Sequence, residues 1–115
     1  MTDNRTPSER IVQEVGSWPG VTVGPGDRGS SVAFRVGRRE IGHLHGDRAA
    51  HFGFPKEVWD DLRAEGRIEP HPVFPDSRGP AARGIKSDAD VRDVIELLRL
   101  NYERARARHG LPDAA

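Results

Sequence analysis

The sequence predicts an α+β fold, an antiparallel sheet with helices packed on one face, and three observations carry that prediction. Apolar residues alternate on both sides of Gly37-Arg38, the pattern of two strands joined by a two-residue turn. From Val91 to Ala105 they recur instead at i, i+3, i+4 and i+7 spacing, which is one face of a long helix. The order of elements, helix, paired strands, helix, irregular stretch, long helix, lacks the strand and helix alternation that builds a parallel sheet. At roughly 100 to 200 residues per domain, the 115 residues read as one domain, with an ordered core over about residues 6–109 and mobile tails at 1–4 and 111–115.

The first helix opens at Thr6-Pro7-Ser8-Glu9. Thr6 can accept from a free backbone N–H, Pro7 suits the first helical position, and Glu9 can reach back to close a capping box. Ile11, Val12 and Val15 then share a face, and Gly16 to Gly20 ends the helix with Trp18 at the edge of the core. Val21 and Val23 alternate as a short strand before the loop Gly24 to Gly29. The hairpin pairs Ser31 to Val36 with Arg39 to His45, and Gly37 suits the first position of a type II′ turn. That register sets Val36 against Arg39, Arg35 against Glu40, Phe34 against Ile41 and Val32 against His43. It puts His43 and His45 on the apolar side with Ile41, because side chains two apart in a strand point the same way.

Pro55 opens a second helix to Glu65, carrying Val58, Trp59 and Leu62 and ending near Gly66. Pro70, Pro72, Pro75, Gly79 and Pro80 make Glu69 to Gly84 extended or looped, anchored inward by Val73 and Phe74. Ser87-Asp88-Ala89-Asp90 caps the last helix, Ser87 to Arg108, whose apolar face is Val91, Val94, Ile95, Leu98, Tyr102 and Ala105.

Composition excludes several classes of function. The absence of Cys removes disulfides, thiolate nucleophiles and thiolate metal sites, and it suits a reducing compartment. No apolar run approaches the ~18 residues of a membrane span, and the polar start MTDNRTPSER lacks a signal-peptide core, so no membrane partner is expected and the chain reads as cytoplasmic. Lys+Arg and Asp+Glu balance at 18 each, which leaves no long-range attraction for nucleic acid. The length also rules out a (β/α)8 barrel or a full dinucleotide-binding domain.

The sharpest chemical feature is His43-x-His45-x-Asp47, with His51 and His71 elsewhere. Two imidazoles on one strand face can share a metal, and a carboxylate could complete the shell, so the candidate ligands are His43, His45, Asp47 and His71. The string is similar to the His-x-His-x-Asp-His start of metallo-β-lactamase-type hydrolases, but Arg48 stands where the next His belongs. Histidines bonded to backbone at a sheet edge are the plainer reading, and neither a metal nor a cofactor is expected. Asp47 and Arg48 could form an anion-recognising rim with His71 and Arg83 if the Pro-rich stretch folds over the hairpin mouth. Asp76-Ser77 with His71 lacks a nucleophile elbow, and no catalytic residue is assigned. The loop Gly24 to Gly29 leads into a strand rather than a helix and lacks a Lys-Ser/Thr ending, so it is a connector. Arg99, Arg104, Arg106 and Arg108 make the end of the last helix basic, which the helix dipole favours and which could also dock nucleic acid or protein.

Gly42-His43-Leu44-His45-Gly46-Asp47-Arg48, Phe54-Pro55, Pro70-His71-Pro72-Val73-Phe74-Pro75-Asp76-Ser77 and Leu97-Leu98-Arg99-Leu100-Asn101-Tyr102-Glu103 resemble a small family labelled the luciferase family, or domain of unknown function 5519 (DUF5519). The resemblance runs from the first helix to Tyr102. The order of elements is also similar to that of MmcQ/YjbR-like domains, which have a frataxin-like α+β fold. Where the family commonly has a Trp after a Pro-Asp-Ser-Gly element, this chain continues Ser77-Arg78-Gly79-Pro80. The resemblance implies a small domain of unsettled activity. Flavin-dependent bacterial luciferases are much longer barrels, and no flavin or nucleotide motif is present here. The reading that follows is an accessory or small-ligand-binding domain whose site, between the His43/His45 strand end and Pro70 to Ser77, uses His43, His45, Asp47, Arg48, His71 and Arg83. A small His-dependent hydrolase or oxygen-using enzyme in the same cleft is the rival, and docking through the basic helix end is the third.

Overall fold

The computed structural model of the chain describes residues 4–26 and 31–109. Helix α1 (Pro7–Gly16) starts where the sequence places its cap: the Glu9 N–H donates to Thr6 Oγ1 at 3.1 Å and the Thr6 N–H donates to Glu9 Oε1 at 2.8 Å. Strands β1 (Val21–Pro25), β2 (Val32–Val36), β3 (Arg39–His45) and β4 (Ala49–Gly53) follow, then helix α2 (Lys56–Ala64), strands β5 (Glu69–Pro70) and β6 (Pro80–Gly84), and helix α3 (Asp88–His109). At the start of α3 the Asp90 N–H donates to Ser87 Oγ at 3.2 Å. The six strands form one antiparallel sheet in the order β1-β2-β3-β4-β6-β5, and with the three helices they make an α+β architecture. Ile11 and Val15 of α1, Trp59 and Leu62 of α2, and Val91, Val94, Leu98 and Tyr102 of α3 bury against Phe34, Leu44, Ala50, Phe52 and Ala81 in one apolar cluster. The predicted tails, apart from Asn4, and the second half of the loop Gly24 to Gly29 lie outside the described residues.

Two parts of the chain differ from the sequence reading for reasons of packing. Ala49-Ala50-His51-Phe52-Gly53 has little strand propensity of its own, yet it is β4, because β3 and β6 pair with it on both sides and supply the missing preference. The stretch predicted to be irregular holds β5 and β6, and its prolines fall where strands tolerate them, Pro70 on an edge strand and Pro80 at a strand's first residue. Val73 and Phe74, expected to point inward, are 55% and 52% exposed. A tight turn closes there instead, with the Phe74 N–H donating to His71 O at 3.0 Å. On α3, Leu97 is fully buried while Ile95 is only partly so.

The hairpin departs from its predicted register partway along. Gly37 has φ +62°, and among the described residues only glycines take a positive φ, so Arg38 does not, which fits the type II′ turn. Val36↔Arg39 and Arg35↔Glu40 pair as predicted, but then Phe34 faces Gly42, Ala33 faces His43 and Val32 faces Leu44. Ile41 is the extra residue of a β-bulge, which opposes two residues of one strand to one of its partner. Ile41 and Gly42 are both buried, and Leu44 enters the helix-facing core. His43 and His45 therefore turn to the opposite face from Ile41, which corrects their predicted placement, because a one-residue slip moves every later side chain across the sheet.

Past His43↔His51, β3 and β4 no longer pair. The buried Asn101 side chain spans the gap, with Nδ2 donating to Ile41 O at 3.1 Å and to Gly53 O at 3.0 Å. Beside it the sheet and α3 come so close that a Cβ on Gly42 would sit 2.5 Å from Leu98 Cδ2. Leu98 is fully buried. Gly42→Ala should therefore destabilise the fold by about 1–3 kcal/mol through overpacking, and Leu98→Ala by about 2–5 kcal/mol through a cavity. In urea melts the double variant should lose clearly less than the sum, since the cavity accepts the new methyl; strict additivity would show that the two groups do not touch. Asn101→Ala should cost about 1–3 kcal/mol for each carbonyl it leaves without its donor, read in the same melts.

Candidate functional site

The bulge and the next turn together build the site. Gly46, at φ +59°, opens the turn that sets His45 against Ala49 and His43 against His51. Directly opposed residues share a face, so His51 stands beside His43 and His45 on the side of the sheet away from the helices. Ring centroids are 4.9 Å apart for His43 and His45, 5.2 Å for His43 and His51, and 4.3 Å for His45 and His51. One nitrogen from each of the three lies within 4.8 Å of the other two.

Glu40 anchors the first of these rings. His43 Nδ1 donates to Glu40 Oε2 at 2.9 Å, and His43 Nε2 lies 3.1 Å from His45 Nε2. Residues three apart in a regular strand point to opposite faces; only the extra residue Ile41 lets Glu40 and His43 meet. The hydrogen bond from His43 holds the Glu40 carboxyl below its ordinary range, against partial burial, with added help from the positive charge of Arg35 across the strand pair. Burial, and then the neighbouring His71, His45 and His43, push His51 down to about 4, so it is neutral near pH 7. His71, just past β5, puts its ring centroid 4.2 Å from that of His51. Its Nδ1 accepts the Val73 N–H at 3.1 Å, which by hydrogen-bond geometry assigns the proton of the neutral ring to Nε2.

Cavities open on both sides of the cluster, and Glu40, His43, His51, His71 and Phe74 line both. The smaller, about 210 Å³, reaches Ser31, His45 and Val73. The larger, about 630 Å³, runs across Phe52 and Phe54 to Arg39 and to Asn101, Arg104 and Arg108 of α3. Among the described residues no carboxylate is ion-paired with Arg39, Arg104 or Arg108; Arg104 donates to Asn101 Oδ1 at 3.1 Å. Partial burial, and then the charges of Arg39 and Arg108, lower the pKa of Arg104. The arrangement thus offers a row of imidazole lone pairs, an apolar wall and a concentration of positive charge.

Of the six residues predicted for the site, His43, His45 and His71 come together. Asp47, Arg48 and Arg83 do not, which corrects the predicted anion rim. Asp47 Oδ1 accepts the Ser8 N–H at 2.8 Å, in the first turn of α1 where free N–H groups attract a carboxylate. Arg48 lies in the turn after β3 and its carbonyl accepts the Ile85 N–H at 2.8 Å. Arg83 is opposite Ala50, whose side chain belongs to the helix-facing core, and its guanidinium bonds Asp90 and Asp93 of α3, each at 2.7 Å. Ser77 is not among the residues that line either cavity, and its N–H closes a turn onto Phe74 O. Sequence reasoning missed His51, Glu40, Arg39 and Asn101 as site residues. The available signal was the spacing of His43 and His51 around a Gly-containing turn, which pairs them once residues 49–53 are taken as a strand. The basic helix end also divides: Arg99 stacks over Trp18 (5.1 Å) and Tyr102 (5.0 Å) and pairs with Glu103, and Arg106 packs on Tyr102, while Arg104 and Arg108 line the larger cavity.

A small α+β domain with a histidine-lined cleft on the open face of its sheet is the class these features define. The chain belongs to the luciferase domain family, whose model matches residues 38–101 and so takes in Glu40, His43, His45, His51, His71 and Asn101. No curated protein and no solved structure matches the chain. Among the described residues no helix is long and apolar enough to cross a membrane.

The depressed pKa of His51 makes a stability prediction with a defined sign. Its folded value of about 4 lies below the ordinary 6.5, so the neutral ring is favoured by the fold; that contribution is fully present above about pH 6.5 and is lost as pH falls towards 4. Thermal melts of metal-stripped protein should show Tm falling across that window, and His51→Gln should flatten the fall. An unchanged profile would show that His51 is not held neutral.

Proposed function

We propose that the chain is a small-ligand-binding domain and that its larger cavity takes a small anion with an apolar body, a carboxylate or a phosphate. The observation that carries this reading is the convergence of Arg39, Arg104 and Arg108 on one cavity with no carboxylate of the described residues paired to them. Burial and the like charges of Arg39 and Arg108 lower the proton affinity of Arg104, a standing unfavourable interaction that an anion relieves while guanidinium groups donate to it in pairs. Phe52, Phe54 and Phe74 supply the apolar wall, and a cavity of about 630 Å³ is the size of a small-molecule site. The division of the basic helix end favours this cavity over docking, because two of its four arginines are committed to Trp18 and Tyr102. The family's name by itself sets no reaction, and no step of chemistry is part of the reading. The absence of Cys suits a reducing compartment, and the cytoplasm is the location that belongs with it.

Backbone amide chemical-shift mapping with benzoate, octanoate and phenyl phosphate tests the proposal. At least one of the three should move resonances of Arg39, Phe52 to Phe54 and Arg104 in a saturable way, and Arg104→Gln with Arg108→Gln should weaken that binding at least about tenfold, the scale of one lost charge-assisted contact. Silence at those positions with all three probes at millimolar concentration would refute it.

A further inference from the structure

We infer that His43, His45 and His51 form a binding site for one divalent transition-metal ion, with an imidazole nitrogen from each as ligand and Glu40 as the outer support. The site adjoins the proposed ligand cavity without depending on it, since the three ligands come from β3 and β4 and the arginines from β3 and α3.

Spacing is the first argument. Zinc–nitrogen bonds of about 2.0–2.1 Å in a tetrahedral shell set neighbouring nitrogens about 3.3 Å apart. His43 Nε2 and His45 Nε2 already stand 3.1 Å apart, and a nitrogen of His51 lies within 4.8 Å of the ligand atoms of both. Small ring rotations close the remainder. The second argument is tautomer and support. Glu40 takes the His43 Nδ1–H, which leaves the Nε2 lone pair facing its two neighbours; a metal-bound histidine characteristically gives its other N–H to a carboxylate in this way, and the partner fixes ring orientation and raises basicity.

The facing nitrogens are the third argument. His43 and His45 set nitrogen against nitrogen, an arrangement that shares a single proton between two basic atoms. Among the described residues the three ligand nitrogens are grouped without a carboxylate, and Glu40 sits behind His43 as its hydrogen-bond acceptor. A metal ion would take the facing lone pairs in place of that proton. Imidazole donors without carboxylate or carbonyl oxygen select zinc, nickel, copper or iron over magnesium and calcium. Three protein ligands beside two cavities also leave a coordination position accessible to water or to a bound molecule.

His71 marks the boundary of the set. Although its ring is the nearest to His51, its Nδ1 is engaged by the Val73 N–H and it stands outside the triad. It contributes a donor beside the metal rather than a ligand to it.

The test uses the full chain, without an affinity tag and stripped with chelator, titrated with Zn²⁺ by calorimetry and with Co²⁺ by visible absorption. One ion per chain should bind, with the ligand-field bands of a low-coordinate nitrogen site. His43→Ala and His51→Ala should each weaken zinc at least about a hundredfold, Glu40→Gln about ten- to a hundredfold as for other outer-shell partners, and His71→Ala should leave the stoichiometry at one with little change in affinity. Absence of binding, zinc binding undiminished in the His43→Ala/His51→Ala double variant, or loss of the site in His71→Ala would each overturn the inference. Should a histidine variant fail to fold, ring ¹⁵N spectra of the wild type decide: zinc must shift His43, His45 and His51, and unmoved resonances count against the site. The anion titration is run on stripped protein in chelator, so the failure of one proposal is distinguishable from the failure of the other.

Discussion

The extra residue at Ile41 decides which side of the sheet everything downstream in β3 occupies, and the functional face follows from it. Without the bulge, His43 and His45 would alternate with Leu44 in the opposite sense, two imidazoles would enter an apolar core, and Leu44 would face solvent. Burying those rings without partners would cost on the order of 1–3 kcal/mol each by mutational measures, more than the ladder irregularity of one bulge. The same residue brings Glu40 onto the face of His43, which regular alternation forbids. A single insertion in the hairpin therefore sets the histidine face and supplies its carboxylate support.

The bulge is held from the helix side. Ile41 and Gly42 both turn inward, and the bare backbone of Gly42 lets Leu98 approach where any side chain would collide. One turn further along α3, Asn101 closes the gap where β3 and β4 part, and its remaining oxygen accepts from Arg104. The stripe Asn101, Arg104, Arg108 follows helical spacing, so the helix that fills the core with Leu98 and Tyr102 presents this second stripe to the cavity. Core packing and cavity geometry are thus coupled through three adjacent turns of one helix.

Much of this was legible in the sequence. The capping box of α1, the Gly37 turn, the amphipathic face of α3 and the α+β order all arise from signals within a few residues of one another. What was not legible depends on partners distant in sequence. A bulge leaves no mark in the alternation of Arg39 to His45 beyond a glycine at Gly42, and its need appears only once Leu98 is placed against that glycine. Strand β4 has no local preference to read, so His51 could not be paired with His43. Charged residues near a strand end suggest a rim, which is what makes Asp47, Arg48 and Arg83 candidates in the sequence. Pairing across the sheet sends Arg83 to Asp90 and Asp93 instead, and the exposed N–H groups of α1 take Asp47.

Charge is balanced over the whole chain and unbalanced within it, and the pattern separates scaffold from site. Around the start of α3 opposite charges meet: Arg83 and Arg67 share Asp93, Arg83 also holds Asp90, and Arg10 reaches Asp88. That end gains twice, since carboxylates are favoured by the helix N-terminus as well as by their arginines. The far end is built on the opposite principle. Cations suit a helix C-terminus, but the dipole there amounts to about half a charge, which cannot offset three guanidinium groups when Arg104 is partly buried and raised in energy by both neighbours. The adjacent histidine triad supplies little to offset them, for His51 is neutral and Glu40, which lines the same cavity, is hydrogen-bonded to His43 rather than paired with an arginine. A fold that sets opposite charges together around one end of α3 and like charges together around the other carries an electrostatic cost that its own packing does not require, and local conflicts of this kind concentrate where a protein meets what it binds.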